Sequence, residues 1–257
     1  YIFPIIGGFV GGDISAGMTA VDLLSQPQPL LMIDIGTNGE IVLVNNNKII
    51  AASTAAGPAF EGAGISCGMR AMPGAIEKVK FDKEFIFNTI GNVKPTGICG
   101  SGLIDAMAEF LNANLVDCTG RMNDGKTKIV IAPNVALTQK DIRQIQLAVG
   151  AIRAGVNIML RKAGIGSQDL KRVLVAGGFG SFIRRNHAQR IGLLPADISH
   201  EKISFIGNTS LAGAKLALLS MNARQKAENL ARQTEHIELS ADFDFQNEFA
   251  NAMIFPN

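Results

Sequence analysis

The fold class of this chain is decided by the stretch Leu31-Met-Ile-Asp34-Ile-Gly36-Thr37-Asn38-Gly39-Glu40-Ile-Val-Leu-Val44. Two aliphatic runs are separated here by a short turn of glycine and polar residues. This pattern predicts strands at about 30–35 and 40–45 joined by a tight hairpin, with Asp34 at the mouth of the turn. A third strand is expected at 48–53, after an Asn-Asn-Asn turn, so the three strands form an antiparallel meander.

The hairpin has the composition of a phosphate-binding turn. Glycine can adopt backbone angles closed to other residues, so Gly36 and Gly39 would allow successive N–H groups to point at one anionic oxygen. Thr37 and Asn38 can add side-chain donors. A carboxylate does not attract phosphate, and Asp34 therefore makes chemical sense as a ligand of magnesium or of its water shell. An ordinary hairpin with a polar tip would look similar, and the motif alone does not separate the two interpretations.

A second glycine turn follows a second apolar strand, in Lys171-Arg-Val-Leu-Val-Ala-Gly177-Gly178-Phe179-Gly180-Ser181. A plain strand-to-helix connection also favours glycine, but three glycines in four residues are more than a connection needs. We therefore predict that backbone approaches a ligand closely at Gly177, Gly178, Phe179 and Gly180.

Two further segments carry candidate residues. In the small-residue stretch 55–70, Glu61 could polarise a water molecule, and an exposed acid with no such role is the alternative. In Thr96-Gly-Ile-Cys-Gly100-Ser101-Gly, glycines precede a segment of helical periodicity. Gly100 and Ser101 would then lie at a helix N-terminus, which could receive an anion or simply the neighbouring strand.

Composition excludes several classes of function. The 257 residues are 47% hydrophobic and 18% charged, which is typical of a globular α/β chain with ample material for a core. A net charge of +2, with scattered lysines and arginines, argues against nucleic acid as a partner. No apolar run approaches the roughly 20 residues that span a bilayer, so we expect a cytoplasmic protein without a membrane segment. The three cysteines and three histidines have no spacing that suits a disulfide framework, a zinc site or an iron–sulfur cluster.

The order of elements predicts one α/β lobe. A helix is expected after Gly12 with Asp13 as its N-cap, and a long amphipathic helix is expected at 138–162. Residues 116–134 are rich in Gly, Asn and Asp, and we interpret them as an excursion within the lobe. The chain opens at Tyr1 inside an apolar segment, which predicts that residues 1–257 are the C-terminal lobe of a larger protein.

Five motifs in order resemble the C-terminal part of the reductive activators of corrinoid proteins, within the actin, heat-shock chaperone and sugar-kinase ATPase superfamily. They are Ile33-Asp-Ile-Gly-Thr-Asn-Gly-Glu40, Ser53-Thr-Ala-Ala-Gly-Pro-Ala-Phe-Glu-Gly-Ala63, Gly97-Ile-Cys-Gly-Ser-Gly-Leu-Ile-Asp105, Ala176-Gly-Gly-Phe-Gly180 and Gly192-Leu-Leu-Pro195. The resemblance covers most of the chain. It implies an actin-like (ribonuclease-H-like) α/β lobe with a mixed sheet, an antiparallel three-strand meander and flanking helices.

The resemblance also implies a function. Such activators use ATP and magnesium to drive reduction of a cobalt(II) corrinoid on a partner, a methyltransferase or corrinoid iron–sulfur protein, to cobalt(I). By this likeness, Asp34 to Glu40 would be the second of two phosphate hairpins and Gly177 to Gly180 the adenosine-facing turn. The residues themselves make Asp34 and Glu61 the candidate catalytic acids. The first hairpin and the iron–sulfur cluster would lie upstream of Tyr1, so this chain alone should not be fully active.

Alternatives remain open at this point. The superfamily fold supports many chemistries, so an ATPase or kinase with another substrate would fit the same residues. A non-catalytic interaction or dimerisation domain is a third interpretation, although intact Asp34, Thr37 and glycine turn argue against it. The sequence also leaves open whether the protein is a homodimer.

Overall fold

The computed structural model describes residues 1–178 and 183–256. The strands in these ranges are β1 (Leu30–Ile35), β2 (Gly39–Asn45), β3 (Lys48–Thr54), β4 (Ala75–Asp82), β5 (Glu84–Thr89), β6 (Gly97–Ile98), β7 (Lys128–Ala132), β8 (Val135–Thr138), β9 (Arg172–Ala176), β10 (Ile203–Gly207) and β11 (Thr234–His236). The helices are α1 (Gly12–Ala20), α2 (Gly100–Asn112), α3 (Gln139–Lys162), α4 (Arg185–Arg190), α5 (Thr209–Leu219), α6 (Met221–Gln233) and α7 (Phe245–Ala252).

The chain divides into two units, each built from three segments. The first unit comprises residues 1–54, 155–181 and 197–245, and the second comprises 55–154, 182–196 and 246–257. Residues 116–134, predicted as an excursion, lie within the second unit and include β7, which pairs with β8 in an antiparallel hairpin. In the part of the chain that the structure describes, no helix has the length and hydropathy needed to cross a membrane.

The predicted meander is confirmed and lies inside the sheet of the first unit. This mixed sheet has the order β10-β9-β1-β2-β3-β11. β1, β2 and β3 pair antiparallel, whereas β9 pairs parallel with both β1 and β10. Because β1, β9 and β10 are parallel neighbours, their carboxyl ends meet at one edge of the sheet, which is where open α/β sheets bind ligands.

The strands of this sheet are uninterrupted hydrophobic runs because helices cover both faces of the sheet. Alternate residues of β1, β2, β3 and β9 join α1 and α6 in one buried cluster, which includes Met18, Met32, Val42, Leu174 and Leu230. On the opposite face Ile41 lies against Gly155 of α3, where an added Cβ would come within 2.5 Å of the Ile41 Cδ1. A strand that is covered on both sides loses the apolar–polar alternation of a half-exposed strand.

The second unit is organised around a three-stranded sheet of order β5-β4-β6. Helix α2 packs on β4, and its first turn approaches neighbouring backbone so closely that only glycine fits at two positions. A Cβ at Gly100 would lie 2.2 Å from the carbonyl oxygen of Phe60, and one at Gly102 would lie 2.2 Å from that of Ile76. The long helix predicted at 138–162 is confirmed as α3, which begins one residue later.

The predicted capping role of Asp13 is wrong. Helix α1 begins at Gly12 with Gly11 at the N-cap position, and no side chain caps it. Asp13 instead lies in the first turn, where its Oδ1 accepts a hydrogen bond from the backbone N–H of Ile14 at 2.9 Å. Because the helix starts earlier than its sequence pattern indicates, the Asp13 carboxylate interacts with the acids of the neighbouring strands rather than closing the helix.

Candidate functional site

The structure places the predicted hairpin residues at the edge where β1, β9 and β10 end. Asp34 is the penultimate residue of β1, opposite Glu40 of β2 in the antiparallel register and beside Ala176 of β9 in the parallel one. Gly36, Thr37 and Asn38 form the turn, and Gly39 begins β2. The turn is closed by a hydrogen bond from the Gly36 N–H to the carbonyl oxygen of Asn38 at 2.9 Å.

The predicted reason for the hairpin glycines needs correction. Neither Gly36 nor Gly39 has a positive φ angle, so left-handed backbone does not account for them. A Cβ at Gly36 would make only an ordinary contact, at 3.6 Å from the Asn38 carbonyl oxygen. The fold itself therefore tolerates a side chain at Gly36, and its glycine leaves open space above the turn.

The second glycine turn contains two glycines with different physical reasons. Gly177 has φ +113°, donates its N–H to the carbonyl oxygen of Gly207 at 3.1 Å, and would bring a Cβ within 2.4 Å of the Ile35 carbonyl oxygen. Gly177 is thus required by the close approach of the strand ends. Gly178 is exposed, has no positive φ, and a Cβ there would meet no described atom within 4 Å. Phe179 and Gly180, the other two predicted residues of this turn, lie outside the described residues.

At this edge the charges of three carboxylates, those of Asp13, Asp34 and Glu40, interact with one another. Among the described residues, no lysine or arginine side chain neutralises them. Asp34 and Glu40 are directly opposite across the β1–β2 ladder, an arrangement that is unfavourable for like charges. Burial, followed by the negative charge of Asp13, raises the pKa of Asp34 from 3.8 to about 6. Within residues 1–178 and 183–256, no lysine or arginine forms an ion pair with Asp13, Asp34 or Glu40.

Glu40 is the most strongly perturbed acid of the site. Its side chain is only 8% exposed. Burial raises its pKa from 4.5 to about 7, and the charges of Asp13 and Asp34 add to that effect. Hydrogen bonds from its own backbone N–H and from Ser53, whose Oγ lies 3.4 Å from Oε1, act in the opposite direction. A group with such a pKa can take up or release a proton near neutral pH.

These acids fit a divalent cation that keeps much of its own water. In the described ranges, no three His, Cys, Asp or Glu side chains are arranged to hold a metal ion, so the chain supplies no complete metal cage. Magnesium does not require one, because it is usually bound by one or two carboxylates, with water and substrate phosphates completing its octahedron. The two perturbed carboxylates, Asp34 and Glu40, are hard oxygen donors whose mutual repulsion a bound cation would relieve.

The remaining predicted residues belong to the second unit. Glu61 is exposed at the end of a short 3-10 turn, Pro58–Glu61. Gly100 and Ser101 begin α2 and are buried, and the Cys99 Sγ lies 3.4 Å from the Ser101 Oγ. The approach of the Phe60 carbonyl to Gly100 accounts for that glycine by packing within the unit.

Sequence reasoning missed two residues of the acidic site. Glu40 was part of the quoted hairpin motif, but no role was predicted for it. The antiparallel register of β1 and β2 places it opposite Asp34. Asp13 was assigned to a helix cap, and no local signal in the sequence relates it to a strand end about twenty residues later. Only the packing of α1 on the sheet brings the charge of Asp13 to bear on Asp34 and Glu40.

Comparison with known proteins identifies related sequences and structures. The family described as the C-terminal domain of RACo, the ASKHA domain, matches residues 28–257. Corrinoid activation enzyme RamQ from Eubacterium limosum is 39% identical over 269 aligned positions, covering 94% of this chain and 45% of RamQ. The [Co(II) methylated amine-specific corrinoid protein] reductase of Methanosarcina barkeri is 34% identical over 269 positions, covering 95% of this chain and 49% of the reductase.

A solved structure extends this likeness to the whole fold. The structure titled reductive activator for corrinoid,iron-sulfur protein is similar to this chain with a TM-score of 0.92 and 39% sequence identity, covering 100% of this chain and 44% of that one. The chain spans about half the length of the curated relatives it matches. With the family match over residues 28–257 and the sheet order described above, the chain belongs to the RACo C-terminal ASKHA-domain family and has its actin-like ATPase fold.

Proposed function

We propose that this chain is the nucleotide-binding C-terminal domain of an ATP-dependent activator, which reduces the cobalt(II) corrinoid of a partner protein to cobalt(I). The observation that carries the nucleotide part is the edge formed by β1, β9 and β10. There, two glycines that the described fold does not need, Gly36 and Gly178, leave backbone open beside the unneutralised acids Asp34 and Glu40.

In this proposal each element of the site has a separate task. Asp34 and Glu40 hold the water shell of magnesium, which neutralises phosphate charge when bound. Backbone N–H groups of the turn from Gly36 to Gly39, with Thr37 and Asn38, donate to phosphate oxygens. Gly177 and Gly178 lie against the nucleoside, and Phe179 and Gly180, which lie outside the described residues, are assigned to the same role from the sequence alone.

The predicted residues of the second unit are proposed from their motifs alone, each within its own unit. Glu61, which is exposed, would polarise a water molecule. Gly100 and Ser101, at the N-terminal turn of α2, would receive an anion.

The corrinoid part of the proposal is supported by the relatives. Their names describe corrinoid activation and reduction of a Co(II) corrinoid protein. The chain has no cysteine set with iron–sulfur spacing. We therefore propose that the single electron that converts cobalt(II) to cobalt(I) comes from an iron–sulfur cluster outside these 257 residues. A methyltransferase system such as an O-demethylase would supply the corrinoid protein, in the cytoplasm, and the activator would work as a homodimer.

Calorimetry tests the nucleotide part directly. The chain is titrated with magnesium ATP beside Asp34→Ala and the control Asp124→Ala, which removes an exposed acid that makes only a 3.7 Å pair with Lys126. We expect saturable binding that Asp34→Ala weakens about 10-fold or more, equivalent to about 1.4 kcal/mol, and that the control leaves unchanged. Absence of binding by the unsubstituted chain, or equal binding by all three, would contradict the assignment of the site.

A second experiment separates the activator from the alternative of an ATPase or kinase with another substrate. In the longer protein, reduction of a corrinoid partner is followed by the visible spectrum of cobalt(I), with and without ATP. Glu61→Gln and Ser101→Ala are expected to slow ATP-dependent reduction, while an exposed-site variant such as Asp124→Ala is not. Nucleotide binding without any ATP-dependent reduction would favour the alternative.

A further inference from the structure

Helix α5 of the first unit presents leucines to solvent on its outward side, and the proposed nucleotide site does not use them. Leu218 is 76% exposed and Leu219 is 87% exposed. Surface helices normally carry polar residues on the side that faces water. We use the name leucine face for the following exposed residues of α5 and of the start of α6: Leu211, Lys215, Leu218, Leu219 and Met221.

The leucine face is a fixed feature of the fold, because the opposite side of α5 is locked against α1. A Cβ at Gly213 would lie 2.1 Å from the carbonyl oxygen of Ala16. A Cβ at Gly17 of α1 would lie 2.8 Å from the hydroxyl oxygen of Thr209. Helices that approach this closely leave no room for a leucine between them. The helix therefore cannot turn about its axis to bury its outward leucines.

The spacing of the leucine face suits a second helix. Leu211, Lys215 and Leu218 follow one another at intervals of four and three residues, so they form one line along α5. Leu219 adjoins this line on the next turn. A contiguous exposed apolar surface marks a contact site. A line of residues at helical spacing is the surface on which an amphipathic helix lays its own apolar side.

The charges of this surface are positive. Among residues 1–178 and 183–256, no acidic side chain forms an ion pair with Lys215 or Arg224. The Nε of Arg224 donates to the Ala217 carbonyl oxygen at 2.7 Å, which holds the guanidinium beside the last turn of α5 and 5.4 Å from the centre of the Tyr1 ring. An occupant that neutralises these charges brings a carboxylate as well as apolar side chains. A second copy, docked face to face about a two-fold axis, would bring like charges together.

The apolar character of the face favours an occupant that stays in place. Permanent interfaces are the more hydrophobic ones, whereas interfaces that form and dissociate are about as apolar as the rest of a protein surface. In the proposed function the corrinoid protein is reduced and released, so it belongs to the second kind. The curated relatives are about twice as long as this chain. A segment of the same polypeptide remains at high effective concentration and would cover the face permanently.

We propose that the leucine face is the docking surface for an amphipathic helix from the part of the longer activator that lies outside these 257 residues. This helix carries apolar residues at intervals of three and four and one aspartate or glutamate that faces Lys215. The inference rests on the proposed function, because only the longer activator supplies such a helix. Leu218 lies nine residues beyond the first residue of α5, about 14 Å along the helix axis and away from the edge at which β10 ends.

Alkylation of an introduced cysteine measures whether the face is covered. Leu218→Cys is treated with N-ethylmaleimide in the 257-residue chain and in the longer activator, and the modified peptide is quantified by mass spectrometry. Ile86→Cys, at a residue of β5 that is 52% exposed, is the control. We expect Leu218→Cys to react about 10-fold more slowly in the longer activator, because a docked helix uncovers the thiol only when it opens locally. Ile86→Cys should react at the same rate in both.

Several results would overturn the proposal. Equal rates for Leu218→Cys in the two proteins would show that nothing in the longer activator covers the face. A second copy as occupant would slow the reaction in the 257-residue chain itself as its concentration is raised. A corrinoid protein as occupant would slow it only after that protein is added.

A charge reversal tests the acid of the docking helix. In the longer activator that carries Leu218→Cys, Lys215→Glu should raise the alkylation rate about 10-fold, because it sets two carboxylates against each other. Lys215→Gln should raise the rate less. Lys140→Glu makes the same charge change at an exposed lysine of α3 and should leave the rate unchanged. Equal rates for Lys215→Glu and Lys140→Glu would contradict the proposed acid.

Binding of magnesium ATP separates the failure of this inference from the failure of the proposed function. Calorimetry of the 257-residue chain should give the same affinity with and without Leu218→Cys, since the leucine face lies outside the nucleotide site. Normal ATP binding with equal alkylation rates would remove the docking helix alone. Absence of ATP binding, with Leu218→Cys still protected in the longer protein, would remove the nucleotide assignment and support the docking helix.

Discussion

Replacing Asp34 with asparagine should make the ligand-free protein more stable, although Asp34 lies at the centre of the proposed site. The pKa of Asp34 is raised from 3.8 to about 6 in the folded chain, chiefly by burial. That rise of about two pKa units corresponds to about 3 kcal/mol, because each unit is worth about 1.36 kcal/mol. The sign follows from linkage: a raised folded pKa gives stability that is present at low pH and lost as pH rises through the folded value.

The expected gain therefore depends on pH in a defined way. At about pH 8 the wild-type carboxylate is ionised in both states, so Asp34→Asn should gain about 3 kcal/mol. At about pH 5 the folded carboxylate is mostly protonated while the unfolded one is not, and the gain should fall to about half. Where function requires an uncompensated charge, the natural protein is expected to be less stable than a variant with a neutral residue at that position.

Urea unfolding followed by far-ultraviolet circular dichroism measures both values, because the chain has no tryptophan. Asp124→Asn is the control, since it replaces an exposed acid and should change stability by less than about 0.5 kcal/mol. Added magnesium should stabilise the wild-type chain more than Asp34→Asn. A loss of stability in Asp34→Asn, or a gain of equal size at both pH values, would refute the reasoning about the buried charge.

Four further substitutions test the glycines and the packing of the second unit. Gly178→Ala should leave the unfolding midpoint unchanged but weaken binding of magnesium ATP. Gly177→Ala should lower the free energy of unfolding by more than about 2 kcal/mol, because its φ is +113° and its Cβ would meet the Ile35 carbonyl at 2.4 Å. Equal stability of the two variants would contradict this distinction. Gly100→Ala should destabilise by about 1–3 kcal/mol through overpacking against Phe60, as measured by urea unfolding, and a neutral result would show that the α2 turn can move. Asp141→Ala should cost about 3 kcal/mol or more in the same assay, since this buried carboxylate accepts hydrogen bonds from the backbone N–H and hydroxyl groups of both Ser66 and Thr138; a loss below about 1 kcal/mol would mean that water replaces them.

The sequence predicted the elements whose signals are local. The meander, with its strands at 30–35, 39–45 and 48–54, and the long helix ending at Lys162 agree with prediction to within about one residue. Each of these follows from periodicity and turn residues within a short window, and burial on both sheet faces keeps the apolar runs continuous. The family resemblance was likewise carried by short motifs, and the family match over residues 28–257 confirms it.

Other features depended on contacts between distant parts of the chain. The role of Asp13 was wrong because a helix cap is a local interpretation, whereas its charge acts on Asp34 and Glu40 through the packing of α1 against the sheet. Whether the fold requires glycine at a given position also depended on tertiary contacts. Gly177 is needed because a Cβ there would clash with the end of a neighbouring strand, and Gly100 is needed because a Cβ there would clash with the Phe60 carbonyl. No described neighbour requires glycine at Gly178.

What the sequence determined by itself is therefore the three-strand meander and the long helix, the hairpin with Asp34 at its mouth, and the resemblance to an ATPase family. Only the tertiary structure decided that Asp34 and Glu40 each have a raised pKa. It also decided that His187 lies between two carboxylates that are 78 and 82 residues away in the sequence. The physical reason is that propensity and periodicity act over one or two turns of chain. Burial and charge–charge interaction depend instead on which distant groups the packed fold brings within a few ångströms.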